Sequence, residues 1–135
     1  MRDDGLMRRV LENARRIAVV GASDKPERDS HRIFAYLRAA GYDVVPVNPA
    51  VREVAGVPAV AGLAEAGAPD LVNVFRAPEH LPGVVDEAIA CGARAIWTQY
   101  GVVHDEALAR ARAAGLDVVA DECIMVEHRR LLGPG

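Results

Sequence analysis

Lysine is almost missing from this 135-residue chain: Lys25 is the only one, and the other basic residues are arginines spread along the sequence. With a net charge of −3, no stripe of cations gathers to face a polyanion, so nucleic acid is not an expected partner. Cysteine is scarce as well. Cys91 and Cys123 stand far apart with no CxxC spacing, which argues against a disulfide framework or a zinc site and fits a reducing cytosol. No apolar run approaches the ~18 residues needed to span a bilayer, and Met1 to Arg9 lacks the apolar stretch of a signal peptide. A cytoplasmic protein with no membrane segment is the expectation. Apolar side chains, by contrast, make up 51% of the chain, enough for a real core in what is expected to be a single domain over residues 1–135.

The apolar residues switch between short continuous runs and helical spacing, an alternation that predicts parallel strands joined by crossover helices. Five runs read as strands: Ile17 to Val20, Val44 to Val47, Leu71 to Phe75, Ala95 to Trp97 and Asp117 to Val119. Because they do not alternate with polar residues, they are expected to be covered on both faces. Helices are predicted over Leu6 to Arg15, Ser30 to Ala40, Pro78 to Cys91 and His104 to Ala114, with Cys123 to Leu132 a candidate for a short last one. The first is expected to pack across one end of the sheet. Right-handed crossovers then predict a doubly wound α/β sheet of about five strands, most simply in the order 3-2-1-4-5, with helices on both faces. Pro46 cannot donate to a ladder, and is read as the point where the second strand leaves the sheet.

In such a sheet, ligands sit outside the carboxyl ends of the strands where strand order reverses, here expected at the first and fourth strands. The first strand runs into Gly21-Ala22-Ser23-Asp24-Lys25-Pro26-Glu27-Arg28-Asp29-Ser30 and then a helix. A glycine at that place permits positive φ and close approach of a ligand, and the helix start offers free N–H groups, a combination that favours phosphate. Ser23 and Ser30 add hydroxyls, and Lys25 and Arg28 add charge. The loop is neither GxGxxG nor a P-loop. Ordinary NAD use is disfavoured too, since the second strand ends in Pro46-Val47-Asn48-Pro49 where an acid would hold the ribose. Asn48, on an edge stiffened by proline, is a candidate hydrogen-bonding group beside adenine or ribose. The third strand delivers Phe75, Arg76 and Pro78 to the same edge, and the fourth delivers Trp97-Thr98-Gln99-Tyr100-Gly101.

Together, Val19-Val20-Gly21-Ala22-Ser23, Pro46-Val47-Asn48-Pro49, Val74-Phe75-Arg76-Ala77-Pro78 and Trp97-Thr98-Gln99-Tyr100-Gly101 resemble the small stand-alone coenzyme A-binding domain proteins. These are Rossmann-like and similar to the N-terminal domain of the succinyl-CoA synthetase α subunit. The resemblance runs from about Arg16 to His128, and the order of four strand-end motifs makes it specific. It implies that Gly21, Ala22, Ser23, Lys25, Arg28 and Ser30 cradle the phosphates of coenzyme A and that Val47, Asn48 and Pro49 flank the adenosine. It also brings Phe75, Arg76, Pro78 and Gln99 to the ligand. Relatives commonly carry a basic residue directly after the proline, whereas this chain has Ala50 and offers Arg52 two places on. The synthetase works with a further domain bearing a phosphorylated histidine. No such domain lies within these 135 residues, so the resemblance is expected to extend to binding of coenzyme A or an acyl-CoA and not to ligase chemistry.

No catalytic residue or metal site is predicted. His31, His80, His104 and His128 lie in separate segments without triad or metal spacing, and are read as helix-surface residues. Cys91 is read as a buried structural thiol and Cys123, beside Asp121 and Glu122, as a poor nucleophile. Three functions compete: a coenzyme A-binding module, an NAD(P)-binding redox domain or component of an acyl-CoA-processing complex, and a regulatory module that senses its ligand.

Overall fold

The structure, a computed structural model, describes residues 2–133; Met1, Pro134 and Gly135 lie outside the described residues. Each predicted strand forms. In chain order they are β1 (Arg16–Val20), β2 (Asp43–Val47), a two-stranded ribbon of β3 (Glu53–Val54) and β4 (Val57–Pro58), then β5 (Leu71–Val74), β6 (Ala95–Thr98) and β7 (Asp117–Val119). The five long-range strands pair in parallel, in the order β2-β1-β5-β6-β7.

The sheet is doubly wound as expected, but its order is not 3-2-1-4-5. The third predicted strand, β5, inserts beside β1 instead of beyond β2, giving 2-1-3-4-5 in the numbering of the five predicted strands. Pro46 supplies the physical reason. It lies inside β2, paired with Val19, and has no N–H to offer a strand on its other side. A strand with an interior proline belongs at an edge, and the 3-2-1-4-5 order would have put it in the middle. Nor does the chain leave the sheet at Pro46, because Val47 O still accepts from Gly21 N at 2.8 Å. The outer side of β2 meets Val60 instead: Val60 N donates to Pro46 O and Asn48 N donates to Val60 O, both at 2.9 Å. The ribbon that brings Val60 there turns at Ala55-Gly56, both with positive φ, as a two-residue hairpin demands.

Helices cover both faces. On one side lie α3 (Leu81–Ala90) and α4 (Asp105–Ala113), whose Leu81, Val84, Val85, Leu108 and Ala111 pack on Ala18, Val20, Val72, Val74 and Ile96. On the other lie α1 (Asp4–Asn13), α2 (Asp29–Ala39) and α5 (Ile124–Leu132). Their Met7, Val10, Leu11, Ile33, Phe34, Leu37 and Ile124 close over Ile17, Val19, Leu71 and Trp97. Thus α1 packs on a face, against α5 and β7, and not across an end. Pro78 does not begin α3 directly; it starts a 3-10 turn, Pro78–His80, that leads into it. No helix among the described residues is long and apolar enough to cross a membrane.

Two of the buried polar side chains belong to α5. Glu127 on α5 is fully enclosed and takes Arg130 at 2.9 and 2.6 Å and Arg2 at 3.2 Å, while Arg130 also grips Asp4, tying α5 to α1. His128 is not a surface residue: it is 5% exposed, lies 2.6 Å from the Tyr36 hydroxyl through Nδ1, and meets the Tyr36 and Tyr42 rings edge-on. His104 caps α4, its Nδ1 accepting from Ala107 N at 3.1 Å.

Candidate functional site

The 2-1-3-4-5 order moves the switch point. Strand order reverses between β1 and β5, so the crevice opens between the first and third predicted strands and not between the first and fourth. Along the carboxyl edge of the sheet the residues that leave the strands stand in the sequence Asn48, Gly21, Phe75, Gln99. Three of them remain laddered: Gly21 N donates to Val47 O, Phe75 N to Val20 O at 2.9 Å and Gln99 N to Val74 O at 3.2 Å.

Gly21 turns the chain with φ +87°, and a Cβ there would stand 3.1 Å from Cγ of Arg76 and 3.4 Å from the carbonyl carbon of Phe75. Only glycine lets the first and third strand tips close to this distance. The loop beyond is folded by its own serines. Ser30 Oγ accepts from Ser23 N, and Ser23 Oγ accepts from Lys25 N, each at 3.0 Å. Arg28 stands at the N-cap of α2, and no side chain caps the helix. The first amides of α2 open instead on a cleft of about 620 Å³ lined by Gly21, Ser23, Lys25, Glu27, Arg28, Asp29, Ser30 and Phe75. A helix start with its amides and positive dipole end free suits an anion. Lys25 and Arg28 line it, and Arg76 stands beside Gly21 outside its lining; all three are exposed, and among the described residues none has a carboxylate partner within 4.0 Å.

Asn48 serves the loop more than it serves the open space. Its Nδ2 donates to Ala22 O and its Oδ1 accepts from Ala50 N, both at 2.9 Å, while Ala22 is fully buried. This amide bolts the second strand tip to the glycine loop. Val47 is buried and acts through its carbonyl; Pro49 and Arg52 are exposed and line neither this cleft nor the one beside it. Pro78, half-buried in its 3-10 turn, stands outside both as well.

The neighbouring cleft, of about 220 Å³, shares Asp29 and Phe75 with the first and is otherwise lined by Arg32, Ile33, Gln99, Tyr100, Val102, Cys123 and Met125. Gln99 reaches it from the fourth predicted strand, with 7% exposure. Trp97, two residues earlier, is core: it is fully buried, and its Nε1 donates to Glu122 O at 2.9 Å. Cys123 and Met125 come from the N-cap and first turn of α5, which follows β7. The other thiol, Cys91, is half-buried at the opposite edge of the sheet, beside an apolar cleft with Glu65 and Glu87 on its walls. Among the described residues, no three His, Cys, Asp or Glu side chains gather as a metal site would require.

Comparison with known proteins bears on the family and the fold. A family model described as the CoA binding domain matches residues 15–129. The protein YneT of Bacillus subtilis (strain 168) is 44% identical over 123 residues, which span 90% of this chain and 91% of that one. A solved structure of a Pyrococcus horikoshii OT3 protein superposes with a TM-score of 0.93 at 41% identity, covering 98% of this chain and 94% of the other. A Thermus thermophilus structure, cell-free ID.343, does so with a TM-score of 0.90, also at 41% identity, covering 96% and 99%.

Proposed function

The chain belongs to the CoA-binding domain family, and on that premise we propose that it holds coenzyme A or an acyl-CoA along the carboxyl edge of its sheet, as a binding or regulatory module. The observation that carries this reading is the uncapped start of α2 facing a cleft at the switch point, with Lys25 and Arg28 on its lining and Arg76 beside Gly21. In this reading the diphosphate lies against the Gly21-Ala22-Ser23 loop and the amides of Asp29 and Ser30. Lys25, Arg28 and Arg76 supply charge, and a guanidinium can take a phosphate through two parallel bonds. The adenosine lies toward Val47, Asn48 and Pro49, whose rigidity comes from the Asn48 bolt, and Arg52 is the cation on that side for the 3′-phosphate. The pantetheine arm passes Phe75, which lines both clefts, toward Gln99.

Titration calorimetry tests the proposal. Coenzyme A is expected to bind more tightly than ADP or NAD, and Arg76→Ala is expected to weaken it by about 1.5 kcal/mol or more, the worth of a charge-assisted bond. Equal affinity for coenzyme A and ADP would refute the assignment. Preference for NAD(H) would favour the dinucleotide redox reading in its place.

A further inference from the structure

We propose that the Gln99 end of the groove is a subsite for the carbonyl of a short, uncharged acyl thioester, so that the ligand is an acyl-CoA in preference to free coenzyme A; this rests on the coenzyme A reading above. The Gln99 side chain is enclosed, yet only half of its amide is used by the protein. Its Oε1 accepts from Ile124 N at 3.0 Å and from Asn73 Nδ2 at 3.1 Å. Both partners are donors, with the backbone N–H of Ile124 beyond ambiguity, so the oxygen is fixed on that side and the NH₂ group on the other. That Nε2 donates to no acceptor among the described residues, and the residue lines the smaller cleft. Asn73 is itself held, since its Nδ2 also donates to Trp97 O at 3.2 Å, so the Gln99 rotamer has little freedom.

The cleft has the composition such a group needs. Ile33, Phe75, Val102, Cys123 and Met125 give it apolar walls, and its rim carries the Asp29–Arg32 pair, whose opposite charges cancel. A hydrogen-bond donor inside apolar walls selects a neutral acceptor attached to an apolar tail. A thioester offers this in its carbonyl oxygen. A free thiol has only a weak sulfur acceptor. The volume, about 220 Å³, favours a chain of a few carbons. The first turn of α5 adds to the effect: Cys123 is its N-cap without a side-chain bond, Gln99 Oε1 takes the Ile124 amide in its place, and Met125 on that turn lines the cleft.

The test compares coenzyme A with butyryl-CoA by calorimetry, on the whole chain and on Gln99→Glu and Gln99→Met. Glutamate keeps an oxygen for Ile124 N and Asn73 Nδ2 but has no NH₂ to present; methionine keeps the bulk without either polar atom. The unaltered protein is expected to bind butyryl-CoA at least about fivefold more tightly than coenzyme A, the worth of one neutral hydrogen bond. In whichever variant remains folded by circular dichroism, that preference is expected to vanish, the loss of affinity falling on butyryl-CoA more than on coenzyme A. Equal affinity of the unaltered protein for the two ligands overturns the subsite and leaves the coenzyme A reading standing. A preference that survives both substitutions removes Gln99 from the role. Failure of both ligands to bind the unaltered protein overturns the underlying reading together with the subsite.

Discussion

Replacing Asn48 by aspartate changes one NH₂ group to an oxygen and nothing else in shape, so its cost can be worked from two distances. The bond from Ala50 N at 2.9 Å survives, since a carboxylate oxygen accepts as an amide oxygen does. The bond from Nδ2 to Ala22 O at 2.9 Å is lost, and an anionic oxygen now faces the carbonyl of a fully buried residue. Loss of one neutral bond costs about 1 kcal/mol, and leaving the carbonyl unsatisfied against a like partial charge adds about 1–2 kcal/mol. For a domain of this size, a total of about 2–3 kcal/mol corresponds to a fall in Tm of about 6–15 °C. Asn48→Ala, which loses both bonds but introduces no repulsion, should cost about 2 kcal/mol. Thermal unfolding followed by circular dichroism reads both, and on the proposed function the same melts with coenzyme A present should show a smaller ligand-induced rise than in the unaltered protein, because the Gly21-Ala22-Ser23 loop has lost its bolt. A Tm for Asn48→Asp within about 2 °C of the unaltered protein would mean that the side chain behaves as an ordinary surface group, and would refute the bracing role.

Gly21→Ala puts a Cβ 3.1 Å from Arg76 at φ +87°, and should cost about 1–2 kcal/mol in chemical denaturation while weakening coenzyme A; an unchanged midpoint would show that the turn tolerates a side chain. Glu127→Gln removes the enclosed carboxylate that Arg130 and Arg2 share. Because both arginines stay partly in water, the expected loss is about 2–3 kcal/mol, below the cost of stranding a fully buried charge, and a change under about 0.5 kcal/mol would contradict it. Burial pushes the His128 imidazole below the ordinary histidine value of 6.5. The unfolded chain then takes up a proton more readily, so this residue's contribution to stability is present above about pH 6.5 and is lost as pH falls. His128→Gln should flatten that part of the Tm-against-pH curve between about pH 7 and 5; a curve of unchanged shape would assign the acid sensitivity to other groups.

Much of the sheet was legible because buried parallel strands write themselves as unalternated apolar runs, and Gly21, Gly41, Gly92 and Gly115 mark the turns between elements. The strand order was not, although its signal was present: Pro46 has no N–H for an outer neighbour, so β2 had to be an edge. That one inference would have placed the switch point between Gly21 and Phe75 from the start. The ribbon at Glu53–Val54 and Val57–Pro58 escaped notice because two-residue strands carry no period. At the candidate site, the glycine loop and the cations Lys25 and Arg28 are legible by residue type, and both line one cleft. The hydrogen bond from Asn48 to Ala22 and the half-used amide of Gln99 are not, since a partner 26 or 25 residues away leaves no local pattern. The same holds for Cys123 and Met125, which join the groove only through the place of β7 in the sheet, and for His128, whose partner Tyr36 lies 92 residues earlier.

The central claim, that the ligand is held at the carboxyl tips of the first and third predicted strands, is tested most directly by following backbone amide resonances while coenzyme A is added. The largest shifts should fall at Gly21, Ser23, Asp29, Ser30 and Phe75, with smaller ones at Asn48 and Gln99. Shifts concentrated around Leu63, Ala90 and Cys91 at the opposite edge, or none that saturate, would contradict it.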